Sequence, residues 1–353
     1  MGHRIAFVGA GAVGGYTGGH MVQAGEDVTF IDPWPAHVEH MRQHGLRVTH
    51  AMTEPEFTVP VRALHVTDAQ QLAKEKPIDI AFVCMKSYDT AWATMLIRQY
   101  LAPDGYVVSL QNCMNEETIA GIVGWGKTLG CIASSITVNL PEPGHIHRGA
   151  AKHGAAHTVF RAGEVHGRIT PRAEEVCRLV GFADSAKVTA NLWGERWSKL
   201  VANAMANGLS ACTGLGGGDM LKNEPIRRFS TRLGSEAIRV GQALGYELED
   251  ILHLPPETIA RAGEGDETAM HACDAQRFKD AGRTASGQRP SMGQDMQKGR
   301  RTEIEFLNGL VAREGERVGV ACRANAVLVD IVKRVEKGEL KPDPRHIAEL
   351  RLN

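Results

Sequence analysis

The chain has 353 residues, of which 43% are hydrophobic, so it is long and apolar enough to form two domains with buried cores. Its formal net charge is −1, which gives no electrostatic reason to expect a nucleic-acid partner. Its seven cysteines include no Cys-x-x-Cys pair, a pattern typical of reduced thiols in a cytoplasmic protein. No apolar run reaches the roughly 18 residues of a membrane-spanning helix, so a membrane is not an expected partner either.

The first predicted elements are a strand at 4–8, a helix to about residue 24 and a strand at 27–31 that leads to Asp32. Three glycines with Gly-x-Gly-x-x-Gly spacing join the first strand to the helix: Gly9, Gly11 and Gly14. In such units the first glycine permits a tight turn, the second lets the backbone approach a pyrophosphate, and the third lets the helix press on the sheet. This order predicts dinucleotide binding rather than a glycine-rich structural turn.

Asp32 also bears on the choice of cofactor. A carboxylate at the end of the second strand accepts hydrogen bonds from ribose hydroxyls and repels a 2′-phosphate. The run PWPAHVEHM between Asp32 and Arg42 contains no arginine, so the sequence favours NAD over NADP. The alternative role for Asp32 is to cap a helix that starts after Pro35, and the two roles are compatible.

Strands and helices continue to alternate, with a strand at 78–86, a helix at 89–100 and a strand at 106–112. This alternation predicts a parallel, doubly wound sheet of Rossmann type, in which ligands bind beyond the carboxyl ends of the strands. Four candidate binding residues fall at such ends: Gly9, Asp32, Lys86 and Asn112. We therefore expect them to face one crevice, although polar residues at strand ends also act as local caps.

The segment at 129–188 is rich in strand-like runs and is interpreted as the far edge of this sheet. It contains four closely spaced histidines: His145, His147, His153 and His157. Their turn-rich setting has no His-x-x-x-His pair on a helix and no nearby cysteine, so no metal site is predicted.

The remainder of the chain reads as helical. The predicted helices are 190–213, 223–245, 268–281, 291–315 and 324–337. The expected fold is therefore α/β, with a dinucleotide-binding domain at 1–188 and an all-helical substrate domain at 189–353.

A polar stripe interrupts the first of these helices, in WSKLVANAMANG at 197–208. Lys199, Asn203 and Asn207 are four residues apart, which places them on one face of a continuous helix. The plain interpretation is a solvated face. Small and apolar neighbours favour close packing instead, and we expect the stripe to line a cleft.

A second polar set lies in SMGQDMQKGRRTEIEFLNG at 291–309. Glu303 stands beside Ile304, which belongs to an apolar stripe at helical spacing. If Glu303 is buried it needs a partner, and Lys199 is the candidate. The alternative is a surface glutamate in a charged run.

Together these motifs resemble the ketopantoate reductase family (2-dehydropantoate 2-reductases). The resemblance covers most of the chain and is carried by VGAGAVGGY, CMKSYD, LQN, WSKLVANAMANGLSACTG and SMGQDMQKGRRTEIEFLNG. It implies a reaction in which hydride passes between a nicotinamide cofactor and C2 of a 2-oxo acid.

The resemblance also implies roles for individual residues. Lys199 resembles the family's proton donor, and Glu303 the acid that pairs with it. Asn203 and Asn207 resemble ligands of the substrate hydroxyl, and Ser291 resembles the ligand of the substrate carboxylate. Lys86 and Asn112 resemble residues near the nicotinamide and the substrate. Partial burial is expected to lower the pKa of the lysine toward the working pH.

Several positions depart from the family pattern. Cys113 replaces the usual glycine after Gln-Asn, GVACRAN lacks the usual proline, and the segment at 255–290 makes the chain longer than typical members. The favoured interpretation is therefore an NAD-linked reductase of a small 2-oxo acid other than ketopantoate, and a homodimer is the assembly considered. The alternatives are a true ketopantoate reductase, and a cofactor-binding sensor without turnover.

Overall fold

A computed structural model describes residues 2–51, 54–152, 157–281 and 289–350. The chain divides into two compact units, Met1–Leu192 and Trp193–Asn353, each with its own set of elements. Unit 1 carries the sheets and unit 2 is built from helices.

Unit 1 contains twelve strands in its described residues. They are β1 Arg4–Val8, β2 Asp27–Asp32, β3 Leu46–His50, β4 Phe57–Val59, β5 Arg62–His65, β6 Ile78–Val83, β7 Leu101–Ser109, β8 Thr128–Ala133, β9 Val138–Glu142, β10 His145–Arg148, β11 Phe160–Glu164 and β12 Ala186–Val188. Its helices are α1 Ala12–Gln23, α2 Pro35–His44, α3 Thr90–Arg98, α4 Glu116–Val123 and α5 Pro171–Gly181, and α6 Leu192–Ala204 begins at its last residue.

The main sheet has eight strands in the order β12-β11-β8-β7-β6-β1-β2-β5. All neighbouring pairs are parallel except β11 and β8, which run antiparallel. The register places Val8 opposite both Ile31 and Val83, and Val83 opposite Ser109. The carboxyl ends of the four central strands therefore meet at one edge, as the α/β prediction requires.

A second, four-stranded sheet with the order β4-β3-β10-β9 was not predicted. The interpretation of 129–188 as one continuous sheet edge is therefore wrong in part. Strands β8, β11 and β12 do extend the main sheet, whereas β10 pairs with β3 and β9 pairs with β10 in the second sheet. The short strands β3 and β4 carry too few alternating residues for the periodicity to identify them.

Helix α1 lies between the two sheets, and pairs of glycines make this possible. A Cβ on Gly14 would lie 2.9 Å from Cys84 Cβ, and one on Gly18 would lie 2.6 Å from the Phe30 ring, both on the side of the main sheet. A Cβ on Gly15 would lie 2.9 Å from Ile146 in β10. The glycines therefore let both faces of one helix approach a sheet closely, beyond their role in the motif.

A buried ion pair anchors the second sheet to this helix. Arg148 at the end of β10 is fully buried and donates to Asp184 Oδ2 at 2.5 Å and to the Tyr16 hydroxyl at 2.9 Å. A charge buried this deeply must be paired, so these bonds specify where β10 lies against α1.

Unit 2 continues with α7 Asn207–Thr213, α8 Gly217–Lys222, α9 Glu224–Ala243, α10 Pro256–Gly263, α11 Glu267–Ala281, α12 Ser291–Gln297, α13 Asn308–Val318, α14 Arg323–Glu336 and α15 Arg345–Ala348. The predicted helices at 223–245, 268–281 and 324–337 are confirmed as α9, α11 and α14. The long helix α9 lies at the centre of unit 2. Trp197 of α6 donates to the carbonyl of Ala237 in this helix at 2.8 Å. Within the described ranges, no helix combines the length and apolarity needed to cross a bilayer.

Two of the predicted helices are interrupted. The segment at 190–213 divides into α6 and α7, separated at Met205 and Ala206. The segment at 291–315 divides into α12 and α13, with a short 3-10 turn at Ile304–Phe306 between them. Small and apolar residues continue through the first interruption, so the hydrophobic pattern did not reveal it, whereas the second falls in the polar run KGRRTE at 298–303.

Candidate functional site

The glycine loop after β1 has the geometry of a phosphate-binding turn. Gly9 has φ +103°, a conformation that side chains with a Cβ rarely adopt. Its N–H donates to the Ile31 carbonyl at 2.8 Å, which ties the turn to β2. A Cβ on Gly14 would lie 2.1 Å from the Gly9 carbonyl oxygen, so the first turn of α1 is pressed directly against the loop.

Space for a ligand lies where Gly11 meets the N-terminus of α1. A Cβ built on Gly11 would meet no atom within 4 Å, and no side chain caps this end of the helix. The first-turn N–H groups and the helix dipole favour an anion at this position. The loop therefore fits the pyrophosphate of a dinucleotide.

Asp32 links the glycine loop to the end of β2. Its Oδ2 accepts from Ala10 N at 2.7 Å and its Oδ1 accepts from Trp34 N at 2.9 Å, and the residue is buried. Asp32 does not cap α2, because Trp34 occupies the N-cap position and no side chain bonds to that helix end. The suggested capping role is therefore wrong, whereas each carboxylate oxygen retains a second lone pair for a hydroxyl donor.

Aromatic side chains follow Asp32 at the end of β2. Trp34 stacks on His37, with 5.6 Å between ring centroids, and His37 Nε2 lies 2.9 Å from the Ala10 carbonyl. Burial lowers the pKa of His37, which favours its neutral form. The next arginine, Arg42, donates to the Ala63 carbonyl and to Asp68.

Lys86 and Asn112 follow the neighbouring strands β6 and β7, and two unpredicted residues connect their segments. Gln111 Nε2 donates to the Met85 carbonyl at 2.7 Å, and Asn115 Nδ2 donates to Ser87 Oγ at 3.3 Å. These bonds join the two loops beyond the carboxyl edge of the sheet. Gln111 stands in the quoted LQN motif, but nothing in its spacing indicated a bond to another loop.

Cys113, which replaces the family's glycine, is held in a left-handed conformation. Its φ is +66° and its side chain is buried. A non-glycine residue at positive φ carries backbone strain, and such strain persists only where the surroundings impose it. The substitution therefore keeps the backbone shape of the glycine directly beside Asn112.

In unit 2, the predicted polar stripe is not a solvated face. Lys199 and Asn203 are half-buried on α6, and Asn207 is buried as the first residue of α7. Asn203 Nδ2 is inaccessible to solvent and has no hydrogen-bond partner within the described residues. A buried amide nitrogen without an acceptor is costly, so this atom is a candidate ligand contact.

The stripe is nevertheless not continuous. Ala206 has φ −129° and ψ −42°, outside the helical region, so Asn207 starts a new helix and does not repeat the spacing of Asn203. The prediction that the three residues lie along one helical face is correct for Lys199 and Asn203 and wrong for Asn207.

The second polar set also lies in unit 2. Ser291 is half-buried as the first residue of α12, and Glu303 is buried just before the 3-10 turn at Ile304–Phe306. The alternative of a surface glutamate is wrong. The pairing of Glu303 with Lys199 stays a prediction.

The histidines of the 145–157 segment serve local structure. His145 Nε2 and His147 Nδ1 lie 2.8 and 2.9 Å from Thr49 Oγ1, and His157 Nε2 lies 3.2 Å from Ser134 Oγ. His153 is outside the described residues. Among those that the structure describes, no group of three or more His, Cys, Asp or Glu side chains is arranged to hold a metal ion.

Comparison with known families gives two matches that cover most of the chain. Residues 5–157 match the model of ketopantoate reductase PanE/ApbA, and residues 191–336 match the model of its C-terminal domain. A curated 2-dehydropantoate 2-reductase from Archaeoglobus fulgidus is 28% identical over 95% of this chain and 98% of its own length.

Solved structures agree with these matches. A PanE/ApbA family ketopantoate reductase from Ralstonia eutropha superposes with a TM-score of 0.77 at 26% identity, over 95% of this chain and 99% of that one. A 2-dehydropantoate 2-reductase from Geobacter metallireducens gives 0.76 at 27% identity, over 94% and 99%. D-mandelate dehydrogenase, solved with NADH and anilino(oxo)acetate, shares the fold with a TM-score of 0.78 at 20% identity, over 95% and 98%.

Proposed function

The chain belongs to the ketopantoate reductase family of nicotinamide-dependent oxidoreductases, and on this premise we propose that it reduces the C2 carbonyl of a small 2-oxo acid. The observation that carries the proposal is the buried, unbonded Nδ2 of Asn203, one turn along α6 from Lys199. A half-buried ammonium and an amide without an acceptor together suit a substrate that offers oxygen atoms.

The proposed chemistry divides between the units. Gly9, Gly11 and Gly14 of unit 1 hold the pyrophosphate, and the bound dinucleotide supplies the hydride. Lys199 of unit 2 stabilises the negative charge that grows on the carbonyl oxygen and gives that oxygen a proton. Glu303 holds the ammonium in place and re-protonates it for the next turnover.

Further polar residues bind the substrate in this proposal. Asn203 and Asn207 hydrogen-bond the substrate hydroxyl, and Ser291 binds the carboxylate. Asn112 and Lys86 extend from the carboxyl edge of the main sheet toward the nicotinamide ring and the substrate. The buried Nδ2 of Asn203, which has no acceptor among the described residues, discriminates against ligands that cannot bond to it.

NAD is the proposed cofactor, because the Asp32 carboxylate would repel the 2′-phosphate of NADP. Its buried carboxylate stands at the end of β2, the exposed Pro33 follows it, and Arg42 is already bonded to Asp68. A 2′-phosphate would meet a negative charge there without a cation to balance it.

The proposed substrate is a 2-oxo acid other than ketopantoate. Cys113 beside Asn112 places a thiol where the family has a glycine, and α10 and α11 belong to the segment that makes this chain longer. Ketopantoate is the second candidate, since curated relatives bear the name 2-dehydropantoate 2-reductase. A sensor without turnover is not favoured.

A cytoplasmic homodimer completes the proposal, and light scattering of the purified chain tests its assembly.

The test measures oxidation of NADH and of NADPH with ketopantoate and with a panel of branched and aromatic 2-oxo acids. We expect NADH-linked turnover of one of the other acids, with ketopantoate much slower. Fast turnover of ketopantoate would make this a pantothenate enzyme and would overturn the substrate assignment. Preference for NADPH would overturn the argument from Asp32. Dinucleotide binding with no turnover of any acid would overturn the assignment of this chain as an enzyme.

A further inference from the structure

The break between α6 and α7 leaves two carbonyl groups outside the helical ladder. In a continuous helix, Gly208 N would bond to the Ala204 carbonyl and Leu209 N to the Met205 carbonyl. In this fully described stretch, neither backbone bond forms, and Ala206 N bonds instead to the Asn203 carbonyl at 3.2 Å. Unpaired carbonyls in a protein core are costly, so partners must come from elsewhere.

Side chains from two other helices supply those partners. Asn308 Nδ2 at the start of α13 donates to the Ala204 carbonyl at 3.1 Å, and Ser230 Oγ of α9 donates to the Met205 carbonyl at 2.7 Å. Both side chains are buried. The break is therefore satisfied on both of its carbonyls by residues that sequence analysis did not single out.

Each of the two donors is itself oriented. Asn308 Nδ2 also donates to Asn325 Oδ1 at 2.8 Å, and Asn325 Nδ2 donates to Glu236 Oε2 at 2.8 Å. Glu236 further accepts from the first backbone N–H groups of α14. Arg277 Nη2 donates to Ser230 Oγ at 2.9 Å, which leaves the serine hydrogen for the Met205 carbonyl. This chain of bonds fixes the geometry of the break.

We propose that Asn308 and Ser230 are positioning residues, which fix the end of α6 so that the buried Asn203 amide nitrogen is left without a protein acceptor and the substrate supplies one. Asn203 is the last residue before the two captured carbonyls, and its Nδ2 is the orphaned donor. Gly208 permits the arrangement, because a Cβ there would lie 2.9 Å from both Ile304 and Leu328. The inference rests on the proposed substrate role of Asn203.

The first experiment is a double-mutant cycle between Ser230→Ala and Asn203→Ala on the full chain, with kcat and KM measured separately. We expect Ser230→Ala to reduce kcat/KM for the 2-oxo acid about tenfold, mainly through KM, with dinucleotide affinity within about twofold. In the Asn203→Ala background, Ser230→Ala should have no further effect, because it acts through that amide. Ser230→Thr, which keeps the hydroxyl, should restore KM.

The matched control is Ser235→Ala. Ser235 lies on the same helix and donates to the Ala260 carbonyl at 2.8 Å, away from the break. It should leave KM unchanged. Equal losses in Ser235→Ala and Ser230→Ala, additive effects in the cycle, or an Asn203→Ala variant with normal kcat/KM would each overturn the proposal.

A second measurement does not depend on turnover. In the Ser230→Ala/Asn308→Ala double variant, the two carbonyls should recapture the N–H groups of Gly208 and Leu209, so hydrogen exchange at these amides should slow. Unchanged or faster exchange would overturn the positioning role, whatever the substrate is. Slower exchange in a protein that reduces no 2-oxo acid would instead place the failure with the proposed function.

Discussion

The candidate binding residues of the two units are presented in different ways. In unit 1 the candidate elements are backbone groups and glycines: an open space beside Gly11, an uncapped helix end, and Gly9 at positive φ. In unit 2 the candidate elements are side chains near helix ends, such as Asn203 before the α6–α7 break and Ser291 at the start of α12. Phosphate binding requires backbone N–H groups that the ligand can approach closely, whereas proton transfer requires a side chain that holds a transferable proton in a fixed position.

The largest expected effect tests the unit 2 side of this comparison. Lys199→Ala should reduce kcat by about a thousandfold, since it removes the proton donor and the charge opposite the growing oxyanion. The dissociation constant for the dinucleotide, measured by fluorescence titration, should change by less than about twofold. Near-normal turnover would exclude Lys199 from the chemistry, and lost dinucleotide binding would show that the division of labour is wrong.

The reciprocal substitution in unit 1 is Gly11→Ala. An added methyl group meets no protein atom there, so the melting temperature should be unchanged, while the methyl fills the space for the pyrophosphate. We expect dinucleotide affinity to fall about 10- to 100-fold. Gly121→Ala in α4 is the matched control, because its Cβ also meets nothing within 4 Å. If Gly11→Ala binds normally, the space beside it is not the phosphate site.

The packing of unit 1 around α1 predicts a sensitivity to acid. His20 is buried against Phe57, and burial lowers its pKa to about 4 from an ordinary value near 6.5. The folded state therefore keeps His20 neutral, whereas the unfolded chain takes up a proton below about pH 6.5. The free energy of unfolding that His20 contributes above that pH is consequently lost as the pH falls toward 4. At pH 5 the loss is about 2 kcal/mol.

Urea unfolding at pH 7 and pH 5 measures this effect. His20→Asn cannot take up the proton and should reduce the difference between the two pH values by about 2 kcal/mol. The control is His3→Asn, which makes the same replacement at a half-exposed side chain and so measures any effect of the new asparagine itself. An unchanged pH dependence in His20→Asn would mean that His20 is not the buried group responsible.

The smallest expected effect concerns the strained turn after Asn112. Cys113→Gly should raise the free energy of unfolding by about 1 kcal/mol, because glycine adopts φ +66° without strain. Cys131→Gly removes an equally buried thiol from β8, and should destabilise instead. Thermal denaturation of both variants measures the two changes in stability. Destabilisation by both would mean that the Cys113 side chain contributes more through packing than its backbone costs.

The same contrast explains how much of the molecule could be predicted. The strands that become β1, β2, β6 and β7 and the positions of Gly9 and Asp32 follow from local patterns that survive in one sequence, whereas β3, β4 and β5 were not predicted. The breaks at Met205 and before Ile304 do not follow from such patterns, because they depend on donors such as Asn308 that are remote along the chain. The second sheet was missed for a similar reason, since β3 and β10 are separated by about a hundred residues and each is short.

The capture of the Ala204 carbonyl by Asn308 has a consequence for the order of synthesis. The bond joins residues 104 positions apart, and Asn308 is oriented by Asn325 still further along. While a nascent chain emerges from the ribosome, the glycine loop of unit 1 is complete long before these donors exist. The unit proposed to bind the 2-oxo acid is therefore completed last. A chain that ends before Asn325 should still bind the dinucleotide but discriminate poorly among acids.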